Sequence, residues 1–123
     1  MIFSARSRNM LFKVFAILAV FIALYHLTGV FYKINDSPRW RHGLFVCINL
    51  FCIYCLLKRP KYFLFLFCIL LVQQYYSHGS HLVKQWRTQH TIHWISVFAL
   101  ALLPVALVCL IEDYREKNKK SIS

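Results

Sequence analysis

Four apolar stretches alternating with short basic loops run through this 123-residue chain, and they constrain its fold more than any motif. An α-helix rises ~1.5 Å per residue, so about 20 apolar residues cross a hydrocarbon core of ~30 Å. The expected fold is therefore all-α, a single four-helix transmembrane bundle over residues 1–123 with short loops. Its spans are predicted at about 14–32, 41–57, 62–83 and 92–111, with a charged tail at 112–123 that should fray. A soluble domain of this size could not hide so much apolar surface, because 59% of the residues are hydrophobic and only 15% charged.

Loop residues sharpen the boundaries. Arg6, Arg8 and Lys13 precede the first span like the start of a secretory signal, but no small-residue cleavage site follows across Leu27–Tyr32. An uncleaved signal-anchor is expected. Asn35-Asp36-Ser37-Pro38 reads as a turn, and Trp40 as an interface marker. The short second span borrows Trp40 to His42 at its outer end, and Lys58-Arg59-Pro60-Lys61 turns the chain back. The third span is apolar only to Val72 and continues through Gln73, Gln74 and His78. Pro104 should kink the fourth.

Orientation follows from the basic residues. With the amino terminus inside, the inner segments hold Arg6, Arg8, Lys13, Lys58, Arg59, Lys61, Arg115, Lys117, Lys119 and Lys120. The outer loops hold Lys33, Arg39, Arg41, Lys84 and Arg87. This asymmetry predicts both termini in the cytoplasm and points to a bacterial inner membrane. The net charge of +11 is accounted for in the same way, by cations that orient helices and meet anionic headgroups. No basic stripe interleaved with aromatics is present, so nucleic acid is not an expected partner.

In that orientation all six histidines fall in the outer half. Gln74, His78, His81 and Gln85 are spaced four, three and four apart and share one helix face; His42 and Asn49 are seven apart. His90, His93 and Val97 are expected on one side of the start of the fourth helix. Polar groups in hydrocarbon cost ~2 kcal/mol or more unless paired. His26, Asn49, Gln74 and His78 are therefore expected to line a common pocket. His42, His81, His90 and His93 should crowd its mouth, near Trp40, Trp86 and Trp94.

Three uses of such a pocket are open. Its members can be interhelical glue. They can hold a cofactor: haem b with His26 and His78 as axial ligands, or copper or zinc at His42, His78, His81, His90 and His93. They can also sense pH, because imidazole titrates near neutrality.

Cys52-Ile53-Tyr54-Cys55 has the spacing of a redox motif, but both thiols lie in an apolar helix on the reducing side of the membrane. A thiol oxidoreductase is therefore disfavoured. Cys47, Cys68 and Cys109 are expected as buried packing residues. There is no phosphate loop, G-x-S-x-G, H-E-x-x-H or carboxylate pair, and the four acids are Asp36, Glu112, Asp113 and Glu116. The expected role is a non-catalytic accessory subunit of a membrane assembly, its partners being the bilayer and other membrane subunits.

Overall fold

The computed structural model describes residues 1–122. They form four helices: α1 (Ala5–Phe31), α2 (Arg39–Lys58), α3 (Phe63–Gln89) and α4 (Trp94–Ile122). The chain divides into two compact units. The first, Ser4–Pro60, is the α1–α2 hairpin; the second joins Met1–Phe3 to the chain from Lys61 onward and contains the α3–α4 hairpin.

Three helices are long and apolar enough to cross a membrane: α1, α2 and α4, with mean hydropathies of 2.3, 1.5 and 2.7. Only 22%, 17% and 22% of those apolar stretches is buried within the protein. Most of each must therefore meet lipid or another chain. The third predicted span stands apart. As a helix α3 is 27 residues long, but its carboxyl-terminal half is too polar to place it with the other three.

The first hairpin is closed at both ends. Ser4 caps α1 by accepting the Ser7 N–H at 3.1 Å, so the helix begins well before the apolar run does. Phe12, Ala16, Ala19 and Ala23 are buried at spacings of four, three and four, a single stripe of mostly small side chains that lets a neighbouring helix approach. Asn35 Oδ1 accepts the Ser37 N–H at 2.9 Å, an Asx turn that delivers Pro38 to the start of α2. At the other end Arg59 adopts the left-handed conformation (φ 53°) and ends α2 just before Pro60. Its guanidinium lies 5.2 Å from the centre of the Phe12 ring and donates to Asn9 Oδ1 at 2.8 Å, tying the end of α2 to the start of α1.

In the second hairpin, α3 buries Phe63 and Phe67, and α4 buries Ser96, Ala106, Cys109 and Leu110. The predicted frayed tail is instead helical through Ile122. Lys117 pairs with Asp113 at 2.8 Å and Lys120 with Glu116 at 3.0 Å, both one turn apart. Such pairs add only ~0.3–0.5 kcal/mol each. The backbone N–H groups of Ile2 and Phe3 donate to the Glu112 carboxylate, which holds the first residues against this unit.

Pro104 does not interrupt α4. Lacking an N–H, it leaves the carbonyl one turn back, that of Leu100, without its helical donor. The Tyr75 hydroxyl donates to that oxygen at 2.8 Å. In hydrocarbon a bare carbonyl is costly, so Tyr75 and Pro104 act as a pair. Tyr75→Phe should lower unfolding stability by about 1–2 kcal/mol. Restoring the backbone donor in Tyr75→Phe/Pro104→Ala should recover most of that loss in a thermal melt in detergent.

Candidate functional site: two histidine networks

Each hairpin carries a histidine network beside its own interhelical loop. In the first, His42 is only 3% exposed, and its ring lies against Gly29 of α1. A Cβ at position 29 would come within 2.6 Å of the His42 Cγ and Nδ1, so only glycine allows this approach.

The hydrogen bonds assign the tautomers. Asn35 Oδ1 already accepts the Ser37 N–H, so it is the oxygen, and the His42 Nε2 that meets it at 3.1 Å must donate. With His42 neutral, its Nδ1 is then the acceptor and His26 Nδ1–H the donor of the 2.9 Å bond between the two rings. His26 keeps a bare Nε2 and stacks on Phe45 with ring centres 4.9 Å apart. Asn35 Nδ2 reaches the Tyr25 hydroxyl at 3.3 Å and completes the set.

The second network centres on Ser96, which is fully buried. His93 stands just before α4 as its amino-terminal cap. Its Nδ1 accepts the Ser96 N–H at 3.3 Å and must therefore be bare, so the 2.8 Å bond to Ser96 Oγ uses the serine proton. That hydroxyl has no second proton. The 2.9 Å bond from His78 Nδ1 to Ser96 Oγ is consequently donated by His78. The tautomers alternate as before: His93 carries Nε2–H, while His78 keeps a bare Nε2. The His81 ring meets His93 edge to face at 4.5 Å. Burial, and then the neighbouring His81, hold the His93 pKa below its ordinary value.

Several expectations are refined or corrected by this geometry. His26 pairs with His42, and His78 with Ser96, each inside its own unit. Asn49 donates back to the Phe45 carbonyl at 2.8 Å, and Gln74 donates to Gln73 at 2.9 Å. His90 does not share a face of α4 with His93. It is the left-handed cap of α3 (φ 52°), its N–H bonded to the Trp86 carbonyl and its ring set edge-on to Trp86. Among the described residues no group of three or more His, Cys, Asp or Glu side chains is arranged to hold a metal ion.

Tyr25, Gly29 and Ser96 complete the networks without being singled out in the sequence reading, and Asn35, read there as a turn residue, joins them as a hydrogen-bond partner. The readable signal is a glycine three residues after His26 on α1, which leaves room for the His42 ring of α2.

Cys47 and Cys68 also depart from expectation. They are exposed on helix surfaces, whereas Cys55 and Cys109 are buried. Cys52 and Cys55 are free thiols. Both should react with an alkylating reagent in denaturant without prior reduction; labelling that requires a reductant would restore the redox reading.

Compared with protein families, curated proteins and solved structures, the chain finds no match.

Proposed function

We propose that this is a four-span membrane protein with both termini cytoplasmic, acting as a non-catalytic accessory subunit of a membrane assembly. The observation that carries this reading is the contrast between the two surfaces of its helices. Large apolar side chains project outward from α1 (Ile17, Phe21, Leu24), α3 (Phe65, Ile69, Val72) and α4 (Ile95, Phe98). The polar groups, by contrast, engage one another in short networks that brace each hairpin. Networks of this kind serve as structural glue, and the outward apolar surface is suited to lipid and to other membrane helices. Affinity purification in mild detergent should recover the chain with a stoichiometric partner, which the same wash in harsher detergent removes. A lone monomer with turnover of its own would refute the proposal.

A second reading, haem ligation, is favoured by one specific observation. In both networks the deduced tautomer leaves Nε2 bare on His26 and on His78, the state an axial ligand requires, with Nδ1–H anchored by a protein acceptor. Under this reading each hairpin offers one axial nitrogen, and the purified protein shows a Soret band that weakens when the ligating imidazole is lost in His26→Ala or in His78→Ala. A colourless protein purified from haem-replete cells would reject it.

A further inference from the structure

The second hairpin contains a cleft of about 370 Å³ lined by His81, Lys84, Gln85, Thr88, Gln89 and His93. Every one of these side chains carries nitrogen or oxygen, and none is a carboxylate. The acids of this unit, Glu112, Asp113 and Glu116, lie near the far end of α4, about 27 Å along the helix from Trp94 at ~1.5 Å per residue. Among the described residues of its own hairpin, Lys84 therefore has no carboxylate within reach.

The hydrogen bonds show what the cleft still offers. His93 Nδ1 is occupied by Ser96, so the edge left over is Nε2–H, a donor. Gln89 Oε1 accepts from Thr91 Oγ1 at 3.5 Å, which leaves the Gln89 amide hydrogens. Thr88 has given its proton to the Lys84 carbonyl at 2.9 Å. Lys84 contributes an ammonium with three donors. The cleft thus offers several donors and one cation, along the end of α3 and beside the residue that precedes α4.

We propose that this cleft binds a phosphate group, with Lys84 Nζ, His93 Nε2–H and the Gln89 amide as its ligands. The group can belong to a lipid headgroup or to a soluble phosphate; the recognition chemistry is the same, and neither depends on whether the chain is an accessory subunit. Charge-assisted bonds to phosphate oxygens are the strong class of hydrogen bond, and the amino end of α4 adds its positive dipole.

The test uses the full chain with ¹⁵N-labelled histidine and glutamine side chains. Inorganic phosphate is titrated into protein in uncharged maltoside micelles, and phosphatidylglycerol is added in a second series. The His93 Nε2 and Gln89 amide signals should move in a saturable way. Lys84→Met should weaken the response roughly tenfold, the equivalent of one charge-assisted bond. His93→Asn, which keeps a capping side chain but removes the Nε2–H donor, should weaken the Gln89 response similarly. Saturation by inorganic phosphate assigns a soluble ligand, and saturation by the lipid alone assigns a headgroup. No shift in either series, an equal response in Lys84→Met, or the same shift from chloride at matched ionic strength would each overturn the proposal.

Discussion

Gly29→Ala is expected to destabilise the first hairpin by about 2 kcal/mol, although alanine is the better helix former by ~1 kcal/mol. The new methyl would lie 2.6 Å from two His42 ring atoms and 2.8 Å from a third. That ring cannot swing aside at little cost. It is buried, and both of its nitrogens are engaged, one by Asn35 and one by His26. Displacing it sacrifices two hydrogen bonds of ~0.5–1.5 kcal/mol each as well as the packing. The mutational cycle makes the cause testable. With His42→Ala already present the clash is gone, and Gly29→Ala should become neutral or stabilising in a thermal melt. An equal loss in both backgrounds would show that the histidine contact is not the reason for the glycine.

Acidification should loosen the start of α4, and Ser96→Ala should mimic part of that effect at neutral pH. His93 Nδ1 accepts both the backbone and the hydroxyl proton of Ser96, so a protonated ring loses its side-chain share of the cap and leaves the Ser96 N–H to the His93 carbonyl at 3.0 Å alone. Its folded-state pKa is lowered, so its contribution is fully present above the ordinary histidine value of about 6.5 and is lost as pH falls through the lowered value. The groups that face it from α3 are His78, His81 and Lys84, and the Lys84 ammonium opposes a second positive charge beside it. Amide exchange at Ser96 should therefore accelerate on acidification. His93→Asn should abolish the pH dependence while keeping a capped helix, because asparagine caps without titrating. Ser96→Ala should cost ~1–3 kcal/mol, since it strands the His78 Nδ1–H. Ser96 exchange that follows pH identically in wild type and His93→Asn would refute the capping role.

Much of the fold was legible in the chain. Hydropathy located the helices, and Asn35 to Pro38 and Lys58 to Lys61 marked the turns. Hydropathy reports where lipid lies rather than where helical hydrogen bonding stops. That is why α1 starts earlier than its apolar run, α3 continues past Val83 to Gln89, and α4 continues through the charged tail. Helical spacing placed His78 and His81 on one face of α3, and their contacts with Ser96 and His93 follow from it. It could not foresee the partners contributed by loop closure. Asn35 reaches His42 only because the Asx turn holds its amide oxygen in place. His90 caps α3 instead of sharing a side with His93 at the start of α4, because a left-handed cap and an interhelical loop look alike in a run of polar residues. Pro104 stands inside α4 as expected, but the carbonyl it leaves free takes a side-chain hydrogen bond from a tyrosine 29 residues before the proline, a pairing that periodicity does not encode.

The proposed topology has four membrane crossings, with both termini in the cytoplasm and each interhelical loop of a hairpin outside. Because α3 is the least apolar helix, the carboxyl terminus is the informative position. Reporter fusions after Ile122, at Asn35 and at Thr91 test it most directly. The account predicts a fluorescent cytoplasmic reporter at the carboxyl terminus, with alkaline phosphatase active at both loops. Phosphatase activity at the carboxyl terminus and none at Thr91 would mean that α3 does not cross, and would contradict it.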